Sequence, residues 1–330
     1  FLRVPDNKTR DKLFIDKVAR KGWTNHIGSS KSSMVNIATI ALSIADKMIA
    51  HGSNSEVKNR IKKALAILSR PGIRFSANNV MQFFAKQFVF AENITTAIKS
   101  SKAKNGLYSF DMLGEAAWTM ADADKYFLSY RNALIEIGKH RQSKNVFEAD
   151  GISVKLSALH PKYDFMHRDR VLSELLPRII VLVNIAQKYN IGINIDAEEA
   201  ERLDLSLDVI DRIMNSIAST SWQGFGVVVQ AYQKRSSYLI DWLHHSCKKY
   251  DLKIMVRLVK GAYWDSEIKK AQVMGEVDYP VFTKKINTDY SFLVCAQKLL
   301  LMRDCIYPQF ASHNAHSLVS VCEIAGDNVG

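Results

Sequence analysis

Two cations, a glycine and two aromatic residues follow one apolar run in the last third of the chain. Arg257 and Lys260 place two positive charges near the carboxyl end of a predicted strand, and Gly261 lets the backbone approach a bound molecule closely. Tyr263 and Trp264 add flat apolar faces. This combination favours a site for a planar, anionic ligand. The alternative is that the cations are surface charges and the rings belong to the core.

Four other apolar runs also end in polar or charged residues. They lie at 152–157, 193–196, 227–230 and 308–314. Continuous apolar runs are typical of strands that are buried on both faces, as in parallel sheets. We therefore expect several strand ends to contribute side chains to one site.

Between these runs, apolar residues recur with the spacing of helices that pack on a sheet. This spacing covers 171–183, 207–217 and 238–243, with Tyr238 on the apolar face of the last segment. Pro177 interrupts the first segment and is expected to kink its helix or to lie in a first turn. The sequence thus predicts strands and helices in alternation.

Alternating strands and helices form either an open doubly wound sheet or a closed barrel of eight units. We favour the barrel, because polar residues follow nearly every predicted strand, whereas an open sheet binds its ligand at one switch point. No Gly-x-Gly-x-x-Gly and no Gly-x-x-x-x-Gly-Lys-Ser motif follows a strand, which argues against Rossmann or P-loop nucleotide binding. Residues 1–105 predict an accessory helical region, and 106–330 predict about six strand–helix units.

Several ordered motifs carry a resemblance to a known family. They include Ser-Val-Lys-Leu-Ser-Ala-Leu-His-Pro at 153–161 and Val-Arg-Leu-Val-Lys-Gly-Ala-Tyr-Trp-Asp at 256–265. Further motifs lie at 111–117, 193–199, 229–235, 279–285 and 307–316. Together they resemble the proline dehydrogenase domain of the bacterial bifunctional proline utilization (PutA) proteins. The resemblance covers nearly the whole chain.

The resemblance implies a distorted (βα)8 TIM-like barrel with a helical arm packed on it and FAD held at the carboxyl ends of the strands. The implied reaction is the oxidation of L-proline to Δ1-pyrroline-5-carboxylate by hydride transfer to flavin N5, the first step of proline catabolism to glutamate. The implied electron acceptor is ubiquinone or another membrane quinone. Cations and apolar faces suit this chemistry, because the protein must hold a carboxylate and stabilise a cofactor that gains negative charge.

The resemblance also assigns residues to the substrate. Lys155 matches a lysine that holds the proline carboxylate, and Asp196 matches an aspartate beneath the substrate that could orient Lys155 or a tyrosine. Leu258, Ala262 and Tyr263 match the walls of the pocket. The catalytic residues are expected to be Lys155, Asp196, Arg257 and Tyr263.

A second group matches the residues that contact the cofactor. Gln230 corresponds to a residue that hydrogen-bonds the flavin ring, and Arg257 to one beside flavin N5 and the phosphates. Ser312 stands where the family usually has threonine, so the hydroxyl is kept and one methyl group is lost. The remaining expected FAD contacts are Val259, Lys260, Gly261, Trp264, Thr283, Lys284, His313 and Asn314.

The main departure from the family lies at the carboxyl end of the chain. The family continues past 325–326 with two more strands and a helix, whose paired arginines clamp the proline carboxylate and whose tyrosine covers the ring. Glu115 matches a glutamate that pairs with one of these arginines. We therefore expect the barrel to be incomplete, with six of eight units, and inactive on its own. The parent chain is expected to carry an NAD-dependent aldehyde dehydrogenase domain.

Charge and composition bear on partners and location. The formal net charge is +12, with a basic amphipathic segment at 58–74, and the apolar run 34–45 is too short to span a membrane. Peripheral contact with anionic lipid at the inner membrane is compatible with this charge. No nucleic-acid contact is expected from these residues, and a DNA-binding domain would lie outside them. The chain begins without a methionine or leader, which predicts a cytoplasmic segment cut from a longer protein.

Cysteine and histidine give no sign of a metal site. The four cysteines form no Cys-x-x-Cys pair and are expected to be reduced and buried. His313 and His316 could share an ion, but no third ligand shows suitable spacing, so no metal is expected.

Two other classes of function stay open at this point. Lys155 or Lys260 could form a Schiff base in a barrel lyase, or Glu198 and Glu199 could act as paired carboxylates in a hydrolase. Neighbouring residues point apart, however, and a hydrolase would place acids on different strand ends. The other class is a non-catalytic, basic module that binds membranes.

Overall fold

The computed structural model describes residues 89–102, 106–112, 114–218 and 220–326, together with Thr9 and Asn25. The chain divides into two compact units, Phe1–Ala91 and Glu92–Gly330. The basic segment 58–74 and the apolar run 34–45 lie outside the described residues, as does most of the expected helical arm. The account below concerns the second unit.

Six strands form one sheet in which every neighbouring pair is parallel and the spatial order equals the order along the chain. Sequential parallel strands with intervening helices are the arrangement of a (βα)8 barrel, so the fold is that of an incomplete barrel. This confirms the predicted class. The strands are β1 (Ser109–Asp111), β2 (Gly151–Val154), β3 (Gly192–Ile195), β4 (Phe225–Gln230), β5 (Ile254–Val259) and β6 (Ile306–Phe310).

Nine helices belong to the described part of the second unit, and most of them connect successive strands. Several of them pack their apolar faces against the sheet, as the helical spacing predicted. The helices are α1 (Ile94–Lys102), α2 (Met120–Lys139), α3 (Arg168–Glu174), α4 (Leu176–Tyr189), α5 (Leu203–Ile217), α6 (Ser236–Tyr250), α7 (Trp264–Met274), α8 (Lys285–Leu301) and α9 (Ala315–Ala325).

Pro177 lies in the first turn of α4, and a separate short helix, α3, precedes it. A proline is tolerated there because the first N–H groups of a helix have no partner within that helix. The predicted interruption is thus confirmed. On α6 one expectation is wrong, since Tyr238 is exposed while Leu239 and Leu243 fill the apolar face.

The core lies between the sheet and these helices. All residues of β2, β3 and β4 are buried, which explains their continuous apolar sequences. β6 is only partly buried and has β5 as its one neighbour among the described residues. Three of the four cysteines are buried free thiols, as expected, but Cys322 is exposed.

Candidate active site

Lys155 lies at the carboxyl ends of three neighbouring strands. It directly follows β2, and its Nζ is 3.1 Å from Asp111 Oδ2 at the end of β1 and 3.2 Å from Asp196 Oδ2 after β3. The parallel register brings these ends to one level. The structure therefore unites two predicted site residues, Lys155 and Asp196, with Asp111, whose role sequence reasoning missed.

Charge and burial set the protonation of this group. Burial would lower the pKa of Lys155, but attraction by Asp196 and Asp111 raises it above its ordinary value overall. Burial raises the pKa of Asp196, and the ammonium of Lys155 opposes that shift. Lys155 is therefore a firmly protonated cation at neutral pH.

Arg257 reaches across the sheet from β5 to the first two strands. Its Nη1 donates to Ser153 Oγ at 2.8 Å, and its Nη2 donates to Ser109 Oγ at 2.8 Å. The two serine hydroxyls are themselves 3.3 Å apart. Burial lowers the pKa of Arg257, whereas Asp196 and Asp111 raise it. Together with Lys155 this makes a cluster of two cations and two carboxylates, which we name the charged cluster.

A cavity of about 420 Å³ adjoins Arg257 on the inner side of the sheet. Two buried oxygens belong to residues that line it, Asn194 Oδ1 and Gln309 Oε1, and neither has a hydrogen-bond partner among the described residues. Buried acceptors of this kind are ordinarily satisfied by protein, water or ligand. Asn194 Oδ1 and Gln309 Oε1 can therefore each accept a hydrogen bond from a molecule in this cavity.

Tyr263 follows the carboxyl end of β5 and points toward the loop after β1. Its hydroxyl is 3.5 Å from Glu115 Oε2. Burial raises the pKa of Tyr263, and Glu115 adds to the shift, so the phenol stays neutral and able to donate. Glu115, which we expected to face an arginine outside this chain, thus has a partner within it.

The other two expected wall residues differ in exposure. Ala262 is exposed, whereas Leu258 on β5 is completely buried. Side chains alternate along a strand, so Leu258 lies on the opposite face from Arg257. Its contact with substrate stays a prediction.

Gln230, at the end of β4, uses its amide to connect two loops. Its Nε2 donates to the carbonyl oxygen of Glu198 at 2.9 Å, and its Oε1 accepts from the backbone N–H of Ala262 at 3.0 Å. These two bonds fix the orientation of the amide. One N–H and one lone pair remain for a ligand, so the predicted flavin contact is chemically open to Gln230.

Lys260 is paired with the start of α8. Its Nζ is 2.5 Å from Asp289 Oδ1, and its ammonium lies 5.8 Å from the centre of the Phe292 ring. Asp289 also pairs with Lys285 at 2.5 Å, and these bonds lower the pKa of its carboxyl. Lys260 is thus paired with a residue of a helix, whereas Lys155 and Arg257 bind residues on or next to the strands.

Gly261 is required by both its conformation and its neighbour. Its φ is +137°, and a Cβ atom there would overlap the ring of Tyr232. Val259, just before this loop, accepts through its carbonyl oxygen from Ala231 N at 2.8 Å. Trp264 Nε1 donates to the carbonyl oxygen of Phe282 at 2.9 Å. The loop after β5 is therefore fixed at several points.

The remaining expected cofactor residues lie on exposed segments. Thr283 and Lys284 immediately precede α8, and Asn314 caps α9 by accepting from Ser317 N at 3.0 Å. Ser312 Oγ accepts from Asn314 N at 3.1 Å. Ser312, Asn314 and His313, which is also exposed, follow β6, whereas Thr283 and Lys284 lie between β5 and β6. Contact of these residues with FAD stays a prediction.

Sequence reasoning overlooked Asp111, Ser109 and Ser153 as site residues. The one signal available was that Asp111 follows a short apolar stretch. Serines inside a strand carry no such signal, because their role depends on which side chain faces them across the sheet.

These residues fit an anionic flavin cofactor. Arg257 and Lys155 provide positive charge at the strand ends, and Tyr263 and Trp264 provide flat rings. One amide edge, that of Gln230, keeps hydrogen-bonding capacity beside them. The donor set suits FAD, because cations can bind its phosphates and an amide can hydrogen-bond the edge of its ring.

A mixed group of possible metal ligands occurs elsewhere, with His244, Asp304 and Cys305 offering atoms within 4.8 Å of one another. Asp304 already pairs with Lys248 and with His244 at 3.3 Å. Its charge is therefore balanced without an ion. Neither His313 nor His316 belongs to this group.

The parallel barrel and its charged strand ends define a class of enzyme scaffold, and sequence comparison gives the family. Residues 94–329 match the family described as "Proline dehydrogenase", so the chain belongs to the proline dehydrogenase family. "Bifunctional protein PutA" of Klebsiella aerogenes is 45% identical over 330 residues, which cover 99% of this chain and 25% of that protein. The Escherichia coli K12 protein of the same name is 44% identical, with the same coverage.

Solved structures agree with this assignment. A variant of Bradyrhizobium japonicum proline utilization A superposes with a TM-score of 0.71 and 41% identity, covering 98% of this chain and 33% of that one. A structure titled "proline utilization A (PutA) with proline bound in remote sites" gives a TM-score of 0.70 at 41% identity. The chain spans about a quarter of the length of the curated relatives that it matches.

One expectation conflicts with the comparisons. Residues 1–88 match the family described as "DNA-binding domain of Proline dehydrogenase". We had expected no nucleic-acid contact from this chain and had placed any DNA-binding domain outside it. Charge spacing and the lack of interleaved aromatic residues did not reveal this match, which lies almost entirely outside the described residues.

Proposed function

We propose that this chain is the larger part of the catalytic barrel of a flavin-dependent proline dehydrogenase, which oxidises L-proline to Δ1-pyrroline-5-carboxylate. The observation that carries the proposal is the charged cluster of Lys155, Asp111, Asp196 and Arg257 at the strand ends of a chain in this family. An amino acid at neutral pH carries one positive and one negative group. It therefore suits a cluster that contains two cations and two carboxylates.

Lys155 is suited to bind the carboxylate of proline. Its ammonium has three N–H donors, and Asp111 and Asp196 accept two of them. The third is available for a substrate oxygen. Because the pKa of Lys155 is raised, its positive charge persists throughout the physiological range.

Arg257 is suited to stabilise negative charge on the cofactor side. FAD, when bound, supplies the hydride acceptor, its N5 atom. The partly buried guanidinium of Arg257 donates hydrogen bonds to Ser153 and Ser109, so the cation is oriented before the reaction. Tyr263 and the loop after β5 would cover the substrate ring and exclude water.

The same arrangement disfavours the two other catalytic classes. A Schiff base needs a neutral amine, yet two carboxylates keep Lys155 protonated. Lys260, the other lysine considered for this role, is ion-paired with Asp289. Glu198 is buried, and its oxygens accept from Ser157 N at 3.0 Å and Arg202 Nη1 at 2.8 Å. It is therefore not available as one of a pair of catalytic acids. Borohydride trapping of a substrate on Lys155 would instead support the lyase interpretation.

The proposal extends to the parent protein. We propose that electrons pass to ubiquinone or another membrane quinone, that the protein is cytoplasmic with peripheral contact at the inner membrane, and that an NAD-dependent aldehyde dehydrogenase domain shares the chain. The net charge of +12 supports such contact, and the bifunctional names of its relatives support the second domain. Among the helices of the described residues, none has the length and apolar character needed to cross a bilayer.

The decisive experiment is a visible absorption spectrum of the purified parent enzyme, recorded before and after anaerobic addition of L-proline. Flavin bands that bleach with L-proline are the expected result, and D-proline serves as the matched control ligand. A parent that binds FAD but is not bleached by proline under any condition would refute the assigned activity. The segment 1–330 alone is expected to give no turnover.

A further inference from the structure

The carboxylate of Glu198 lies where several loops of the sheet meet. This residue is 8% exposed and follows β3. One oxygen, Oε1, accepts from Ser157 N at 3.0 Å, and the other, Oε2, accepts from Arg202 Nη1 at 2.8 Å. Burial of a carboxylate is costly unless its oxygens have partners. Both oxygens of Glu198 therefore have a structural use.

Ser157 carries the connection to the loop after β1. Its Oγ accepts from Ala116 N at 3.0 Å, and its carbonyl oxygen accepts from Ala117 N at 2.9 Å. Ala116 has a φ of +54°, which is unusual for alanine and needs such support. Glu198 thus fixes Ser157, and Ser157 in turn fixes the loop after β1.

On the other side, the connection continues to the loop after β5. The carbonyl oxygen of Glu198 accepts from Gln230 Nε2 at 2.9 Å, and Gln230 Oε1 accepts from Ala262 N at 3.0 Å. Hydrogen bonds therefore run in sequence from Ala116 through Ser157, Glu198 and Gln230 to Ala262. We name this series the loop belt, and it joins the ends of β1 to β5.

Two residues of the proposed site lie next to the loop belt. Lys155 precedes Ser157 by two positions, and Tyr263 directly follows Ala262. We propose that Glu198 is a positioning residue that sets the distance between Lys155 and Tyr263 through the loop belt. This inference rests on the proposed function, because the distance matters only if one substrate binds between the two.

The test uses the full-length enzyme with FAD and three variants. Glu198→Ala removes the carboxylate, and Glu198→Gln keeps an oxygen that can accept from Ser157 N. Glu199→Gln is the matched control, since Glu199 Oε2 is 3.2 Å from the same Arg202 but has no hydrogen bond from the described part of the chain. If Glu198→Ala does not fold, Ser157→Ala removes the hydroxyl that accepts from Ala116 but keeps the Glu198 carboxylate and the backbone N–H of Ser157 that donates to it.

The first measurement is amide hydrogen exchange at Ala116, Ala117 and Ser157. Glu198→Ala is expected to speed exchange there by about tenfold or more, because a charged acceptor is lost, while Glu198→Gln has a smaller effect. Glu199→Gln should leave these rates unchanged. Unchanged exchange in Glu198→Ala, or equal acceleration in the control, would overturn the loop belt.

The second measurement is the KM and kcat for proline. Glu198→Ala keeps the carbonyl oxygen that binds Gln230 but releases Ser157, so it should displace Lys155 relative to Tyr263 and raise KM by about tenfold or more, and Glu198→Gln should recover most of this loss. If Glu198→Ala exchanges faster but its KM for proline is unaltered, Glu198 stabilises the loops without positioning the site, and the proposal is overturned. If the unmodified enzyme does not oxidise proline, the proposed function fails, and exchange at Lys155 and Tyr263 then decides whether Glu198 positions them.

Discussion

Arg257 on β5 donates to Ser153 on β2 at 2.8 Å, although the two residues are 104 positions apart and β3 and β4 lie between their strands. A bond across the inner side of the sheet is possible because a barrel brings distant strands to face one another. The hydroxyl orients the cation on the inner face. The guanidinium is therefore set by the fold and not by its own loop.

Replacing Arg257 with Met in the complete enzyme should slow flavin reduction about a hundredfold or weaken FAD binding, because a preoriented cation is lost. Stopped-flow reduction and FAD titration measure the two effects. Ser153→Ala, which leaves the charge in place, should give a smaller loss of about fivefold. Unchanged kinetics in Arg257→Met would mean that the cofactor lies elsewhere.

Replacing Tyr263 with Phe should raise the KM for proline about fivefold, because one hydroxyl at the pocket is lost while the ring remains. Steady-state kinetics and thermal unfolding should be measured on the same preparation. A variant with normal KM and a lowered Tm would instead indicate that Tyr263 serves only the core.

Replacing Gly261 with Ala should lower the stability of the barrel by about 3 kcal/mol, since a φ of +137° and overlap with the Tyr232 ring both oppose a side chain. FAD affinity should fall as well. The matched control is Gly275→Ala, where φ is +66° and no atom lies within 4 Å, so that only about 1 kcal/mol is expected. Equal losses in Tm for the two variants would contradict the close packing at Gly261.

The raised pKa of Lys155 gives a prediction for alkaline pH. A lysine whose folded pKa exceeds its unfolded value of 10.5 contributes stability that is fully present below that value and is lost as pH rises through the folded pKa. The difference in Tm between the natural enzyme and Lys155→Met should thus be constant from about pH 7 to about pH 10 and shrink above this range. A difference that grew with pH would show that Lys155 is not held as a cation.

The outline of the fold was predictable because it depends on local pattern. Continuous apolar runs gave β2 to β5, helical spacing gave the crossovers, and Pro177 marked the break before α4. Tyr238 and Cys322 were misjudged because a single position on a helix does not reveal which neighbour covers it. Residues 1–88 include the basic segment 58–74, but its charge spacing alone does not distinguish a DNA-binding domain from a solvated helix face.

The sequence by itself determined that Lys155 and Asp196 directly follow strands and that Arg257 lies near the end of one, because strand boundaries follow from short-range hydrophobic pattern. Only the tertiary structure decided their partners. Ser109 binds Arg257 from 148 positions away, and Glu198 and Gln230 connect loops instead of standing free. Such pairings depend on register and curvature across the whole sheet, which no local stretch of sequence encodes.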